Sequence, residues 1–221
     1  MVERIFVGYM ESKSYHTDKM WSQWLDQLAA DDYVYIDDFI SDHLYKDIQH
    51  YFHHQLEKSE FSKAAIGSSE DRQIVSSIRG DFIYWLDRQN NSEISELFEL
   101  LDEAVVQLKQ QLFLSLSDYE FHFALYPPGT KYEKHIDQFR GNNNRVISML
   151  IYLNENWNPG DGGELKIYSS DGNEILIEPL AKRLVMFKSD TVPHEVLLTN
   201  INRLSLTGWL LRQPAPLGSL L

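Results

Sequence analysis

The spacing of apolar residues predicts helices in the first half of the chain. Two stretches place an apolar residue every three or four positions: "ISDHLYKDIQHYFHHQLEK" (40–58) and "ISELFELLDEAVVQLKQQLF" (94–113). This spacing lines one face of an α-helix, so both stretches are predicted to be amphipathic helices. The alternating run "DYVYIDDFI" (32–40) predicts a short strand. The segment "SSIRGDFIYWLD" (76–87) is a polar, Gly-containing turn that leads into aromatic and branched residues.

The second half of the chain consists of short β-rich runs separated by turns. Eight runs follow one another from residue 120 onward: "FHFALY", "YEKHID", "RVISMLIYL", "GELKIYS", "EILIEPL", "RLVMFK", "HEVLLT" and "RLSLTGWLLR". The turns "YPPG", "NPGDGG" and "SSDGN" carry Pro, which fixes φ, or Gly, Asn and Asp, which tolerate positive φ. The pattern predicts a mainly β fold with some α-helix (α+β), whose strands form an antiparallel barrel or a two-sheet jelly roll.

Length and composition predict one soluble globular unit. The 221 residues suffice to bury one core, and an apolar content of 43% argues against disorder. We expect residues 1–115 to form a supporting helical and strand region, residues 116–212 the β-rich core, and residues 213–221 a tail. No stretch approaches the roughly 18 consecutive apolar residues of a membrane helix. The first residues do not resemble a signal peptide, so we expect a cytoplasmic protein without a membrane partner.

The charge and the lack of cysteine exclude several classes of function. Without cysteine the chain can form no disulfide, no thiolate zinc site and no cysteine nucleophile, so a metal must be held by histidine, carboxylate or water. A net charge of −13 disfavours a nucleic-acid partner, because binding to phosphates requires clustered Lys and Arg. No heptad pattern indicates an oligomeric state.

Four residues in the second half have the chemistry of a metal-dependent oxygenase site. If "YEKHID" is extended, His135 and Asp137 project from the same face of a strand. With His194, they would provide the two histidines and one carboxylate of the facial triad that non-haem Fe(II) oxygenases use. Arg203 lies nine residues after His194, and its guanidinium group suits the carboxylate of an anionic co-substrate.

Several motifs around these residues are similar to those of one enzyme family. They are "YPPGTKYEKHID", "IYLNENW", "GGELKIY", "IEP", "PHEV", "RLSLTGW" and, in the first half, "IRGDFIYW". From about residue 30 to residue 212 the chain resembles the Fe(II)- and 2-oxoglutarate-dependent dioxygenases. Within them it looks like the prolyl 4-hydroxylases, especially the hypoxia-inducible-factor prolyl hydroxylases and their bacterial relatives. The resemblance implies a double-stranded β-helix (jelly roll, cupin-like) core, with the N-terminal helices packed against one sheet.

The resemblance also implies a role for each matching residue. It implies three Fe(II) ligands: His135, Asp137 and His194. It implies four residues around 2-oxoglutarate: Arg203, Tyr152, Tyr126 and Thr207. It suggests four substrate contacts: Arg79, Asp81, Trp209 and Arg140. For the Arg79 and Asp81 pair, a structural salt bridge is an equally good explanation. The turn "YPPG" and the loop "RGNNNR" depart from the animal relatives and leave the substrate open.

The activity that the resemblance implies is hydroxylation of a prolyl residue in a cytosolic protein. The reaction consumes O2 and 2-oxoglutarate and yields succinate and CO2. Ascorbate is a candidate reductant for the iron. Because the iron performs the oxidation, no side chain is required as a general base.

Other interpretations stay open. The enzyme class could be the same with a small molecule, a free amino acid or a nucleobase as substrate, or the chain could be a non-enzymatic jelly-roll module that binds metal. His50, His54 and Glu57 share a helix face with a spacing that can hold a second metal. A second His-x-Asp pair, His16 and Asp18, lies in a polar N-terminal segment and is expected to be solvated.

Overall fold

The computed structural model describes residues 14–64, 78–138 and 144–212. The helices are α1 (Asp18–Asp31), α2 (Asp42–Glu57) and α3 (Ser95–Leu112), with a 3-10 turn at Ser92–Ile94. The strands are β1 (Tyr33–Ile36), β2 (Ser62–Lys63), β3 (Phe82–Trp85), β4 (Asp118–Tyr126), β5 (Tyr132–His135), β6 (Arg145–Tyr152), β7 (Leu165–Tyr168), β8 (Glu174–Ile177), β9 (Leu184–Lys188), β10 (His194–Val196) and β11 (Arg203–Leu211). None of these helices is long and apolar enough to span a bilayer. The predicted tail, 213–221, lies outside the described residues.

The strands form two antiparallel sheets. The larger sheet has the order β1-β9-β6-β11-β4-β3-β2, and the smaller has the order β5-β10-β7-β8. Each of the eight predicted β-rich runs contains one of the strands β4 to β11. Of the two arrangements that the sequence pattern left open, the structure has the two-sheet jelly roll. The fold prediction is therefore confirmed.

The helices pack on one face of the larger sheet, as predicted. Leu101 and Leu108 of α3 are fully buried in a core that includes Phe121 and Phe123 of β4. Side chains alternate across a strand, so His122, which lies between these phenylalanines, points to the opposite face. A second, smaller apolar cluster fills the space between the two sheets. Alternation along β4 thus separates the supporting core from the interior of the jelly roll.

Helix α1 was not predicted, and the expectation for His16 was wrong. The helix buries Trp21, Leu25 and Leu28, which together with the half-buried Trp24 recur at spacings of three and four residues. The ring of His16 is half-buried and lies 4.6 Å from the ring of Phe39, measured between centroids. Only Asp18, in the first turn of the helix, is exposed as expected. This helical spacing was present in the sequence and was missed.

Candidate active site

The candidate site is a cavity between the two sheets. In the paired strands β4 and β11, Arg203 lies opposite Tyr126, and Thr207 lies opposite His122. All four side chains line a cavity of about 430 Å³, its open mouth included. The facing wall comes from the smaller sheet. The strand pairing therefore brings residues from distant parts of the sequence into one enclosed space.

Three potential metal ligands lie together on the wall of this cavity. His135 is the last residue of β5 and is paired with His194, the first residue of β10. Asp137 follows β5 in a bend, so the extended run predicted over 132–137 ends two residues early. One ligand atom from each of the three residues lies within 4.8 Å of the others. Within the described parts of the chain, no other such group of three is found.

Backbone carbonyl groups fix the orientation of both histidines. The Nδ1 atom of His135 lies 2.7 Å from the carbonyl oxygen of Glu133, and Nδ1 of His194 lies 3.0 Å from that of Val192. A carbonyl oxygen can only accept a hydrogen bond, so Nδ1 carries the proton in each ring. The Nε2 lone pairs then face the Asp137 carboxylate, at 3.4 and 3.7 Å. Metal-binding histidines are commonly oriented by such hydrogen bonds.

The protonation states also suit a metal. Burial lowers the pKa of His194 to about 4, against the opposing effect of Asp137, so its ring is neutral at physiological pH. Burial raises the pKa of Asp137, whereas the Ser148 hydroxyl and any positive charge on the neighbouring histidines lower it, and the net shift is downward. The site thus offers a neutral imidazole and a carboxylate without having to release protons.

Two buried serines, which were not predicted, support the Asp137 carboxylate. The hydroxyl of Ser148 donates to Oδ2 of Asp137 at 2.5 Å. Its Oγ also lies 2.9 Å from Oγ of Ser189. An ionised carboxylate can only accept, and Ser148 has one proton, so Ser189 must donate to Ser148. Both serines are buried, so this chain of hydrogen bonds positions the carboxylate without contact with solvent.

At one end of the cavity lies a buried cation, Arg203, which is 1% exposed. Its Nε–H donates to the carbonyl oxygen of Gly163 at 2.7 Å, but its Nη2 has no hydrogen-bond partner among the described residues. The rings of Tyr126 and Tyr152 flank the guanidinium group at 5.1 and 4.9 Å. A buried charge without a compensating group is costly. The arrangement therefore fits an anion that Arg203 would bind.

The two tyrosines supply hydroxyl groups near this cation. Burial raises the pKa of Tyr126 well above its usual value and also raises that of Tyr152, so both phenols stay protonated. The Tyr152 hydroxyl is buried and makes no hydrogen bond of ordinary geometry within the described residues. An anion beside Arg203 could accept a hydrogen bond from it. Thr207, further along β11, lies near Ser205, with 3.1 Å between their hydroxyl oxygens.

Arg79 and Asp81 form a buried salt bridge at the edge of the cavity. Nε and Nη2 of Arg79 donate to the two carboxylate oxygens of Asp81 at 2.6 and 2.8 Å. The guanidinium group also lies over the ring of Tyr132, which stacks on His135 at 3.8 Å. The pair is therefore a structural salt bridge, and Arg79 also lines the cavity. Tyr132 is a cavity residue that sequence reasoning missed.

The opposite end of the cavity is aromatic. Trp209 lines it, with the guanidinium carbon of Arg145 3.4 Å from the centre of its ring. His122 lies beside Trp209 and was also missed. Its position four residues before Tyr126 on one strand was the available signal, since even spacing places both on one face. Arg140 lies outside the described residues. The alternative cluster, His50, His54 and Glu57, is exposed on α2 and is not a metal group in the described structure.

Comparisons with known proteins agree with this geometry. Residues 121–211 match the model of the 2OG-Fe(II) oxygenase superfamily. The chain is similar to a Pseudomonas putida prolyl 4-hydroxylase, with 37% identity over 88% of this chain and 100% of that one and a TM-score of 0.80. A Trichoplax adhaerens prolyl hydroxylase, in complex with a hypoxia-inducible-factor peptide fragment, is 26% identical over 88% of this chain and 90% of that one, with a TM-score of 0.80.

A Phytophthora capsici prolyl 4-hydroxylase shares the fold at 24% identity, over 95% of this chain and 70% of that one, with a TM-score of 0.72. The family model covers the strands that carry the three ligands and Arg203, and the Pseudomonas putida enzyme is matched over its whole length. The chain therefore belongs to the 2OG-Fe(II) oxygenase superfamily.

Proposed function

We propose that the protein is an Fe(II)- and 2-oxoglutarate-dependent dioxygenase that hydroxylates a prolyl residue in a cytosolic protein. The observation that carries this proposal is the meeting of His135, Asp137 and His194 in one cavity with the uncompensated cation of Arg203. Binding of 2-oxoglutarate requires a metal centre and an anion-binding site in the same cavity. The similarity to two prolyl hydroxylases over most of the chain supports the prolyl substrate.

His135, Asp137 and His194 would hold Fe(II) and leave coordination positions open for 2-oxoglutarate and O2. When bound, the iron supplies the redox chemistry that couples decarboxylation of 2-oxoglutarate to hydroxylation of a C–H bond, with succinate and CO2 as co-products. The chain's own residues bind and orient. Glu133 and Val192 set the two imidazoles through their carbonyl groups, and no side chain is required as a general base.

Arg203 would bind the distal carboxylate of 2-oxoglutarate through its unpartnered Nη2, and the hydroxyl of Tyr152 would donate a hydrogen bond to the same carboxylate. Tyr126 would close the pocket beside them, and Thr207 would contact the co-substrate from the adjacent strand position. A guanidinium group binds a carboxylate with two parallel hydrogen bonds, which fixes its direction as well as its charge. The co-substrate would thus be held at both ends.

A peptide segment is the substrate that this proposal names. Trp209 and Arg79, which is held by Asp81, both line the cavity, and a prolyl side chain would enter beside them. The contact proposed for Arg140 stays a prediction. So do the role of ascorbate as reductant and the cytoplasmic location, which cell fractionation with immunoblotting would test.

The test is to incubate the Fe(II)-loaded protein with 2-oxoglutarate and pooled proline-containing peptides, and to measure succinate and peptide mass. We expect succinate to form and one peptide species to gain one oxygen atom. The variant His135→Ala should bind less iron and form no succinate above background, whereas the control His54→Ala, on the exposed face of α2, should behave as the parent protein. Parent protein that binds neither Fe(II) nor 2-oxoglutarate would contradict the proposal.

A further inference from the structure

Five buried side-chain atoms that lack a hydrogen-bond partner among the described residues lie in two groups along the cavity. Near one end lie Nη2 of Arg203 and the hydroxyl of Tyr152. Toward the aromatic end lie both ring nitrogens of His122 and Nε1 of Trp209. These atoms have no hydrogen-bond partner among the described residues. Buried polar groups are rarely left unpaired in folded proteins, so each group indicates a ligand atom or a water.

His122 is enclosed by aromatic rings and faces the cavity. It is 1% exposed, and its ring lies 4.8 Å from that of Trp85 and 5.5 Å from that of Trp209. The hydroxyl oxygen of Thr207, its partner across the strand pair, lies 3.1 Å from that of Ser205. Packing therefore fixes the ring while both nitrogens stay available. An apolar residue at this position would be expected if the wall served only to exclude water.

The two arginines near the aromatic end of the cavity are both paired with carboxylates, in contrast to Arg203. Arg79 is paired with Asp81, and Arg145 donates to Glu120 at 3.0 and 2.8 Å. Burial, with a further contribution from these two arginines, holds the pKa of His122 well below its usual value, so its ring is uncharged. A neutral imidazole offers one N–H donor and one lone pair. This is the complement of an amide, which has one carbonyl acceptor and one N–H donor.

We propose that His122 binds an uncharged backbone amide of the peptide substrate and thereby positions the residue that is hydroxylated. The inference rests on the proposed function and narrows its substrate class to an internal residue of a peptide. A free amino acid carries charged ammonium and carboxylate groups, whereas both arginines near this end are already paired and Asp137 is a metal ligand under the proposed function. His122 therefore selects peptide over free proline.

The experiment compares the parent protein with His122→Leu, His122→Gln and the exposed control His54→Leu. The probe is the tightest-binding member of a set of acetylated, amidated decapeptides with one central proline. Its affinity is measured by tryptophan fluorescence on the protein loaded with Mn(II) and 2-oxoglutarate without O2, and KM values are measured separately with Fe(II). Binding of 2-oxoglutarate alone is titrated in every variant. Free L-proline serves as the competing ligand.

We expect His122→Leu to weaken peptide binding about 10-fold, because a hydrogen bond is lost and an amide of the peptide is left unpaired. The peptide KM should rise far more than the KM for 2-oxoglutarate. His122→Gln retains a donor and an acceptor and should recover most of the affinity, and His54→Leu should match the parent. L-proline should compete only at concentrations at least about 100-fold higher than the peptide. The reason is that its two charged termini would each lose hydration without gaining a partner at this end of the cavity.

Two results would overturn the inference. In the first, His122→Leu lowers the melting temperature but leaves the peptide affinity unchanged, so that His122 has only a structural role. In the second, the parent protein binds 2-oxoglutarate but binds free proline as tightly as any peptide. This result would refute the preference for a peptide substrate but not the assignment as a 2-oxoglutarate-dependent enzyme. Failure of the parent to bind 2-oxoglutarate would instead refute the proposed function itself.

Discussion

Replacing Arg203 by methionine is the most informative perturbation of the co-substrate site. The side chain is buried, its Nε–H is bonded to Gly163, and its Nη2 is available to a ligand. Removing one partner of a buried ion pair costs about 3 kcal/mol, because the other charge is left uncompensated. At about 1.4 kcal/mol per factor of 10, we expect Arg203→Met to bind 2-oxoglutarate roughly 150-fold more weakly.

The assay is an anaerobic titration of the Fe(II)-loaded protein, in which bound 2-oxoglutarate is followed by its visible absorbance band. The second ligand is 2-oxobutanoate, which keeps the keto acid end but lacks the distal carboxylate. The parent protein should prefer 2-oxoglutarate by roughly the factor of 150 derived from the buried pair, and Arg203→Met should show almost no preference. Arg203→Lys keeps the charge but not the planar fork, so it should be intermediate.

The matched control is Arg183→Met. Arg183 is also a buried arginine, 7% exposed, but it is paired with Asp37 at 2.5 Å and takes no part in the cavity. This variant should lose stability and keep the preference between the two keto acids. Our reasoning would be refuted if Arg203→Met retained the parent's preference, because the distal carboxylate would then be bound elsewhere.

Three further predictions follow from the surroundings of the site. Ser148→Ala removes the hydrogen bond to Asp137 and should weaken Fe(II) binding about 10-fold or more in a metal-competition titration, with the melting temperature little changed; unchanged affinity would show that the hydroxyl does not position the carboxylate. Gly163 has a φ of +78°, and an added Cβ would lie 2.9 Å from Cδ of Arg203, so Gly163→Ala should lower the free energy of unfolding by about 1–2 kcal/mol in urea denaturation and weaken 2-oxoglutarate binding as well. Burial lowers the pKa of His16, so the folded state binds fewer protons than the unfolded state as the pH falls below about 6.5, and stability should be lost there; His16→Phe should make the free energy of unfolding less dependent on pH between 7 and 5, and an unchanged slope would contradict this.

Local sequence patterns predicted the β-rich framework because alternation of apolar residues is itself local. Each of the eight runs coincides with all or part of a strand. The four residues that were predicted to form the site, His135, Asp137, His194 and Arg203, all line one cavity. The end of β5 at His135 was not foreseen, since the pattern of the strand does not show where pairing with His194 stops.

The parts that were missed depend on contacts between distant residues. The hydrogen bond from Ser148 to Asp137 joins β6 to the segment after β5 in the other sheet, and the contact with Ser189 exists because β6 and β9 are neighbours. The spacing of His122 from Tyr126 places both on one face of β4, but the lack of a hydrogen-bond partner for His122 in the cavity is visible only in the structure. Helix α1 is an exception, because the spacing of Trp21, Leu25 and Leu28 is a local signal of a helix that was overlooked.

The central claim is that this cavity couples oxidation of 2-oxoglutarate to hydroxylation of a prolyl residue. The most direct measurement is mass spectrometry of a pool of proline-containing peptides after incubation with Fe(II)-loaded protein, 2-oxoglutarate and isotopically labelled O2, with succinate quantified in the same sample. We predict that one labelled oxygen atom is added at a proline for each succinate formed, and that Asp137→Ala abolishes both. If the parent protein forms succinate but labels a small molecule and no peptide, the proposal of a prolyl substrate is contradicted.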